Sequence, residues 1–318
     1  MSFADRASAP THNFFRPLVA GLFQAARTPK CPDTPRLDGK LAVITGGNAG
    51  IGIEISRGLA ARGAELIIAA RNPVTATAAC EAISKETGAK IHHVPLDLTD
   101  LKSVVQSTNS IEKIAAGRKI DVLVANAGVA PTKHSLSAQG HELGFAVNVL
   151  GHHVFVRRLA TSGAFADGRL VVMSAEVYPR ATECTSDFEY RGRLGMFMGY
   201  SRSKLGSLWF AREFAERHPS IEVYSVHPGV IATGIASDGV PTSSWLLRAL
   251  TLDVVAGAQT PLFVATQPGL KRGGYYHNKL GLVLLPPTDA ALDKKKSSAF
   301  WTRLEELAAE FLGRPPPA

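Results

Sequence analysis

The sequence predicts an α/β fold built on one doubly wound parallel sheet with helices on both faces. Short apolar runs alternate with helical segments along most of the 318 residues, which is the order of repeated βαβ units. The runs are almost continuously apolar, as strands covered on both faces must be. Hydrophobic residues make up 45% of the chain, enough for one large core, and no second domain is visible.

Each predicted strand ends in a turn that carries a polar residue or a glycine. The strands are expected at 41–45, 64–70, 91–96, 120–125, 169–174 and 221–226, and the helices at 53–62, 76–87, 101–116, 140–161 and 199–217. The polar residues at the strand ends are Asn48, Arg71, Asp97, Asn126, Ser174 and His227. Because ligands of such sheets bind outside the carboxyl ends of the strands, these residues mark the expected site.

The first strand runs into a glycine-rich turn with the sequence Gly46-Gly47-Asn48-Ala49-Gly50-Ile51-Gly52. The glycines let the backbone turn sharply and approach a ligand closely. The helix that follows offers free N–H groups and the positive end of its dipole to a phosphate. The turn therefore favours a Rossmann-like dinucleotide site, with an ordinary glycine turn as the alternative.

The residues after the second and third strands refine the cofactor. Arg71 stands where an acidic residue would bind the ribose 2′-hydroxyl of NAD, so it favours the 2′-phosphate of NADP(H); the alternative is a side chain that only faces solvent. Asp97 can accept a hydrogen bond from the adenine amino group, with the N–H of Leu98 beside it. Its alternative role is a helix N-cap, which Thr99 or Asp100 would serve better.

Tyr200 and Lys204 are the residues expected to carry a reaction. They are four positions apart on a predicted helix and so share one face. A neighbouring ammonium favours the phenolate and lowers the pKa of a tyrosine, which is about 10 in a free side chain. Tyr200 can then exchange a proton with a substrate oxygen.

With these motifs in order, the chain resembles the short-chain dehydrogenase/reductase superfamily from about Gly39 to Tyr276, and within it the retinol-dehydrogenase-like branch. The motifs that match the superfamily are the glycine turn, Asn126-Ala127-Gly128, Asn148, Tyr200 with Lys204, and Pro228-Gly229 with Val230 and Thr233. Those that match the branch are Asn48, Ala70-Arg71-Asn72, the run 226–230, the run 273–276 and the long interval from Ser174 to Tyr200. The resemblance implies that Asn148 orders a water in a proton relay and that the segment after Pro228 closes over the nicotinamide.

One position departs from the superfamily pattern. The superfamily has two small hydroxyl residues after the fifth strand, and the second polarises the substrate carbonyl. Here that position is Ala175, and Ser174 stands one residue earlier. Since a shift of one residue turns a strand side chain to the other face, either a bend brings Ser174 to the carbonyl or another group holds it. We take Ser174 as the predicted donor.

The predicted site thus has a catalytic part and a cofactor part, and no metal site is predicted. The catalytic residues are predicted to be Tyr200, Lys204, Ser174 and Asn148. The cofactor-binding residues are predicted to be Gly46, Asn48, Gly50, Ile51, Gly52, Arg71, Asp97, Leu98, Asn126, Ala127, Gly128, Tyr200, Lys204, Pro228, Gly229, Val230 and Thr233. His152 and His153 lack a partner at metal-ligand spacing and are expected on a helix surface or in a dimer contact.

We expect an NADP(H)-dependent oxidoreductase, either a carbonyl reductase or an alcohol dehydrogenase, that interconverts a hydrophobic ketone or aldehyde and its alcohol. The apolar runs 196–198 and 245–247 beside the expected site favour a hydrophobic small molecule. The alternative is a non-catalytic NADP(H)-binding regulatory protein, which Ala175 would suit and the Tyr200–Lys204 pair argues against. A homodimer through the helices at 140–161 and 199–217 is a further implication of the resemblance.

The composition limits which binding partners and which cellular compartment we expect for the protein. The formal charge of +8 is dispersed, which favours a solvated surface over nucleic acid. Three widely spaced cysteines fit a reducing compartment, so we expect a cytoplasmic protein. The segment 14–23 is apolar but far shorter than the roughly 20 residues that span a bilayer, and it lacks a signal-peptide cleavage site. It is expected to pack on the domain or to lie peripherally on a membrane surface.

The expected organisation is an N-terminal extension at 1–37 and one short-chain dehydrogenase/reductase domain at 38–318. Within that domain we expect an inserted loop at about 176–198 and a C-terminal helical tail at about 297–312.

Overall fold

The computed structural model describes residues 28–190, 194–231 and 252–313, and it confirms the predicted α/β class. One sheet has the strand order β3-β2-β1-β4-β5-β6-β7-β8. The strands are β1 Leu41–Thr45, β2 Glu65–Ala70, β3 Ile91–Pro95, β4 Val122–Ala125, β5 Gly168–Met173, β6 Ile221–His227, β7 Tyr275–His277 and β8 Gly281–Val283. All neighbouring strands pair in parallel except β7 and β8, which are antiparallel.

Helices cover both faces of the sheet, and each face has its own apolar core. The helices are α1 Gly50–Ala61, α2 Pro73–Thr87, α3 Leu101–Ala115, α4 Leu143–Phe145, α5 Gly151–Thr161, α6 Gly195–Arg217, α7 Val254–Thr266 and α8 Lys294–Ala308. Strand alternation divides the side chains: Leu41 and Val43 of β1 enter the core under α3, α5, α6 and α8, whereas Ala42 and Ile44 enter the core under α1, α2 and α7.

The long helix predicted at 140–161 is interrupted. Its first turn is α4, whose N-cap Glu142 accepts hydrogen bonds from the N–H groups of Gly144 at 2.7 Å and Phe145 at 2.6 Å. A π-helical turn, Ala146–Leu150, then leads into α5. The prediction of one regular helix is therefore wrong. Since π-turns inside helices are often found at functional sites, the position of Asn148 within this one is relevant below.

Two predicted surface residues are buried, and the C-terminal helix covers one of them, His153. His152 and His153 are only 3% and 0% exposed, so their expected place on a helix surface or in a dimer contact is wrong. Helix α8 packs over α5 and α6, with the Trp301 ring 4.9 Å from that of His153. Arg157 and Glu305 form an ion pair at 2.9 Å beside it. The C-terminal helical tail expected at about 297–312 is α8, Lys294–Ala308, but the sequence did not indicate which helices it would cover.

The remaining differences are at element ends and in the last third of the chain. Helix α6 begins four residues before the predicted start, and α7, β7 and β8 were not predicted. Within the described ranges, no helix is long and apolar enough to cross a membrane. The predictions for Thr233, the run 245–247 and the segment 14–23 lie outside the described residues.

Candidate active site

A cleft of about 440 Å³ opens at the carboxyl edge of the parallel strands. It brings together most of the predicted residues, although they come from six separate strand ends and from helix α6. The predicted residues that line it are Gly46, Asn48, Gly50, Ile51, Gly52, Arg71, Asp97, Leu98, Asn126, Ala127, Gly128, Ser174, Tyr200, Lys204 and Pro228. Gly229 and Val230 continue from Pro228 beyond the lining, and Asn148 lies buried behind it.

The glycine turn has a backbone that other residues would not allow. Gly46 and Gly50 have φ of +64° and +55°, in the left-handed region. A Cβ added to Gly52 would stand 2.1 Å from the carbonyl oxygen of Gly46, so the turn is closed to any larger residue. Helix α1 starts here with Ala49 as N-cap, which makes no side-chain hydrogen bond to the first turn. Its N-terminus is thus left for an anion, as a pyrophosphate site requires.

Thr45 fastens this turn to the loop after β4. Its hydroxyl oxygen accepts hydrogen bonds from the N–H groups of Asn126 at 2.9 Å and Ala127 at 3.0 Å. The Asn126 amide in turn donates to the Thr45 carbonyl at 2.9 Å. With two donors on its oxygen, the Thr45 hydroxyl has one proton left, which points to Nε2 of His152 at 2.9 Å. The sequence did not reveal the coupling of Thr45 to His152, because it joins three segments far apart in the chain.

The end of the cleft where the ribose and adenine of the cofactor are predicted is formed after β2 and β3. Arg71 is exposed there, and within the described part of the chain it has no recorded ion pair. Asn72 caps α2 instead, accepting from the N–H groups of Val74 and Thr75. The alternative role of Asp97 as N-cap does not occur, since Asp100 caps α3. Asp97 Oδ1 accepts from the N–H of Thr99 at 2.9 Å and from its hydroxyl at 2.8 Å, and this fixes the carboxylate in the cleft wall.

Tyr200 and Lys204 lie side by side on α6, as their spacing predicts. Lys204 Nζ is 5.5 Å from the centre of the Tyr200 ring and donates to the Met173 carbonyl at 3.1 Å. Burial raises the pKa of Tyr200 to about 12 and lowers the pKa of Lys204 to about 8. The prediction that the ammonium lowers the tyrosine pKa is therefore wrong for this structure. Desolvation dominates because both groups are enclosed, and the ammonium is bonded to a carbonyl.

Asn148 joins the π-turn to its surroundings. Its amide donates to the Val129 carbonyl and to the Ser203 hydroxyl, both at 2.9 Å, and accepts from the Val129 N–H at 2.8 Å. These bonds hold the loop after β4 against α6, close to Tyr200. The predicted water-ordering role of Asn148 is not tested by them and stays a prediction.

Ser174 reaches the cleft wall, but its hydroxyl is already engaged. The side chain is 3% exposed, and Oγ donates to the Lys204 carbonyl at 3.1 Å. Ala175 follows it, also buried. To donate to a substrate carbonyl, Ser174 would have to release its bond to α6. Its role as donor stays a prediction.

Beyond Ala175, three ionisable side chains meet at the ends of β5, β6 and β7. Oε2 of Glu176 lies 3.5 Å from Nε2 of His277 and 3.9 Å from Nε2 of His227. Burial acts to raise the pKa of Glu176, but the two imidazoles and the Lys279 ammonium outweigh it and hold that pKa at about 2. Burial lowers the pKa of His227 to about 3.

Only part of this group was visible in the sequence. His227 was recognised as a strand-end residue, and Glu176 follows the departure at Ala175 directly. His277 needed the pairing of β7 with β6, which places it opposite His227.

The comparisons with known proteins agree with this geometry. A family model described as short chain dehydrogenase matches residues 40–243. Retinol dehydrogenase 12 of Mus musculus is 31% identical over 294 residues, which are 89% of each chain.

Two solved structures share the fold. One is a protein from Mycobacterium Paratuberculosis, with a TM-score of 0.68 and 27% identity over 90% of this chain and 98% of that one. The other is an alcohol dehydrogenase from the archaeon Thermococcus sibiricus, complexed with 5-hydroxy-NADP. Its TM-score is 0.53, with 26% identity over 69% of this chain and 87% of that one. The chain thus belongs to the short-chain dehydrogenase/reductase superfamily, in its retinol-dehydrogenase-like branch, and is an oxidoreductase.

Proposed function

We propose that this oxidoreductase uses NADP(H) to interconvert a hydrophobic ketone or aldehyde and its alcohol by hydride transfer. The observation that carries the proposal is the placement of Tyr200 and Lys204 in one cleft with the glycine turn. A nucleotide-binding protein without a reaction needs no half-buried tyrosine beside a buried ammonium. The partly exposed side chains of Met196, Phe197 and Met198 precede Tyr200 on α6 and support an apolar substrate.

The residues of the cleft fit the cofactor. The closed turn at Gly52 and the uncapped start of α1 would hold the pyrophosphate. Arg71 would pair with a 2′-phosphate, which supports NADP(H) over NAD(H). The alcohol dehydrogenase from Thermococcus sibiricus, bound to an NADP derivative, supports the same choice.

The mechanism follows from the protonation states. NADPH, when bound, supplies the hydride that a carbonyl carbon accepts. With a pKa of about 12, Tyr200 is protonated at neutral pH and can donate its proton to the carbonyl oxygen. Lys204 would bind the nicotinamide ribose beside Gly128, where an added Cβ would stand 3.6 Å from Nζ. Asn148 would hold the water that restores the proton. The use of NADP(H) favours reduction, because the direction follows the cellular ratio of reduced to oxidised cofactor.

A second function is favoured by one observation. The Ser174 hydroxyl donates its proton to the Lys204 carbonyl, and the side chain of Ala175 has no hydrogen-bond donor. A site without a carbonyl-polarising donor would suit a regulatory protein that binds NADP(H) without catalysis. Tyr200→Phe separates the two functions, because a purely binding protein would not depend on the phenol.

The test is NADPH oxidation with a panel of apolar ketones and aldehydes. We expect turnover by the wild-type protein and a loss of about 10²–10⁴-fold in Tyr200→Phe, with NADPH binding retained. Tyr224→Phe is the matched control, since Tyr224 lies in the core on the opposite face of the sheet. NADPH binding without turnover of any carbonyl would contradict the enzyme and favour the regulatory protein.

The organisation of the chain is part of the proposal. We propose that residues 1–37 form an extension that packs on the domain or contacts a membrane surface. We also propose that the insertion predicted at about 176–198, whose last four residues belong to α6, lies beside the substrate. The three cysteines are free, which supports a cytoplasmic location. A homodimer through α5 and α6 would have to form around α8. Light scattering of the purified protein measures that state.

A further inference from the structure

The residues Glu176, His227 and His277 form a buried polar group, which we name the strand-end cluster. It lies next to the cleft, although none of its three residues lines it. Ser174 and Pro228, which flank the cluster in sequence, both line the cleft. Within β6 and β7, side chains alternate, so His227, Tyr275 and His277 share the face of the sheet on which α6 packs. Burial raises the pKa of Tyr275, and the charges of Glu176 and Asp289 with the Tyr200 phenol add to this effect.

Backbone hydrogen bonds fix the proton positions on both imidazoles. The N–H of Glu176 donates to Nδ1 of His227 at 3.3 Å, and the N–H of Lys279 donates to Nδ1 of His277 at 3.1 Å. A ring nitrogen that accepts a hydrogen bond carries no proton, so each ring holds its proton on Nε2. Both Nε2–H groups therefore face the Glu176 carboxylate.

The cluster is not saturated by its own members. The separations of 3.5 and 3.9 Å are longer than normal hydrogen bonds. His277 is 4% exposed, yet its Nε2 has no hydrogen-bond partner among the described residues, and neither has the buried hydroxyl of Tyr275. Buried donors without acceptors are costly, so their presence beside a cleft points to a ligand group. The Glu176 side chain is 24% exposed, which leaves the carboxylate accessible.

The chemistry of the cluster selects one kind of group. A divalent metal would need unprotonated nitrogens, whereas both imidazoles present N–H. An ammonium would suit Glu176 and be opposed by the two N–H donors, and an anion would be opposed by the carboxylate. A hydroxyl fits this set, since it can donate one hydrogen bond to Glu176 and accept two from the unpartnered donors His277 and Tyr275.

We propose that the strand-end cluster binds a substrate hydroxyl, so that the natural substrate is a hydroxy-ketone or hydroxy-aldehyde with the hydroxyl on the first or second carbon from the carbonyl. Glu176 accepts its proton, and His277 with Tyr275 donates to its oxygen. We expect the hydroxyl close to the carbonyl because Glu176 directly follows Ala175, the position from which the superfamily polarises the carbonyl. This inference rests on the proposed function, and it means that the otherwise apolar substrate carries one hydroxyl group in addition to its carbonyl.

The test compares benzoin with deoxybenzoin, which lacks the hydroxyl, and with benzoin methyl ether, which accepts but does not donate. The homologous ketone with its hydroxyl one carbon further covers the second position. We expect kcat/KM for the better hydroxy-ketone to exceed that for its deoxy analogue by about 10- to 100-fold, with the ether close to the deoxy compound. The ratio of the two kcat/KM values is unaffected by any loss of activity that a variant shows equally with both substrates.

Two variants probe the cluster. Glu176→Gln should lower the ratio about tenfold, and Tyr275→Phe should lower it by a smaller factor while leaving the fold intact, because only an unpartnered hydroxyl is removed. The matched controls are Glu183→Gln, an exposed carboxylate further along the same loop, and Tyr224→Phe on the other face of the sheet. Both should keep the wild-type ratio.

Several results would overturn the inference. Equal kcat/KM for hydroxy and deoxy ketones would do so while leaving the proposed function intact, and so would an unchanged ratio in Glu176→Gln. Co²⁺ binding that Glu176→Gln abolishes would replace the hydroxyl by a metal. If no ketone is turned over, the proposed function fails. The binding of hydrobenzoin is then compared with that of its mono-ol counterpart by saturation-transfer NMR, to test whether the cluster binds a hydroxyl. Equal binding of the two alcohols would contradict the inference.

Discussion

The two halves of the sheet treat their buried polar groups in opposite ways. Around β1 and β4, the Thr45 hydroxyl and the Asn126 amide bond to each other's backbone, so the cofactor turn is complete without a ligand. Around β5, β6 and β7, the Lys204 ammonium, the Tyr275 hydroxyl and Nε2 of His277 are buried with one protein partner or none among the described residues. The hydrogen bonds around β1 and β4 therefore stabilise the fold and form the cofactor turn before any ligand binds. Around β5, β6 and β7, the buried polar groups that lack partners lower the stability, and under our proposal they bind a ligand.

Thr45→Val should break the first half most severely. Valine has the shape of threonine but no acceptor, so the N–H groups of Asn126 and Ala127 and Nε2 of His152 all lose their partner. We expect the free energy of unfolding to fall by about 2–5 kcal/mol, since each unsatisfied buried donor costs roughly 1–3 kcal/mol. Urea unfolding measures it. Thr45→Ser keeps the oxygen and should lose about 1 kcal/mol or less; equal losses for the two variants would contradict the role of the hydroxyl.

Lys204→Met should raise the free energy of unfolding, which is the opposite of the effect expected for Thr45→Val. Burial lowers the pKa of Lys204 from 10.5 to about 8, so the folded protein releases this proton more easily than the unfolded chain does. The charged side chain thus opposes folding fully below about pH 8, and the penalty disappears as pH rises toward 10.5. At pH 7 we expect the variant to gain on the order of 2 kcal/mol after loss of the bond to Met173, while its carbonyl reduction is lost.

The control for this variant is Lys102→Met on the exposed side of α3, which should change stability by less than about 0.5 kcal/mol. Urea unfolding at pH 7 and at pH 10 separates the charge from packing, since the gain should shrink at the higher pH. A gain that is equal at both values would show that it comes from apolar packing alone.

Arg71→Asp probes the cofactor half at its outer end. An aspartate would repel a 2′-phosphate and accept from a 2′-hydroxyl, so the Kd for NADPH should rise about 10- to 100-fold relative to that for NADH. Fluorescence titration with each nucleotide measures the shift. Arg303→Asp, on the exposed face of α8, should leave the preference unchanged. Equal weakening of both nucleotides would remove the support that Arg71 gives to NADP(H).

The same contrast explains what the sequence could predict. The glycine turn, Arg71 and the Tyr200–Lys204 spacing depend on local geometry, and the structure places all of them in the expected cleft. Thr45 with His152 and Glu176 with His277 were not predicted, because each pair joins segments that are brought together only by strand order. The tyrosine pKa was misjudged for a related reason: the spacing gives the neighbour of Tyr200 but not the depth of its burial.

Ala175→Ser tests the substrate half at the departure from the superfamily pattern. A hydroxyl restored at this position should donate to the carbonyl oxygen and raise kcat/KM for ketone reduction about tenfold. This gain is smaller than the 10²–10³-fold loss caused by removing such a donor, because the surroundings have not adapted to the new hydroxyl.

Ser174→Ala tests whether Ser174 serves as the donor in the wild-type enzyme. If it does, Ser174→Ala should slow the wild-type enzyme markedly and the Ala175→Ser enzyme only slightly, because the second hydroxyl takes over. An equal loss in both backgrounds would mean that Ser174 acts through its bond to the Lys204 carbonyl, as a support for α6. No loss in either would leave the strand-end cluster and Tyr200 as the groups that hold the substrate oxygen atoms.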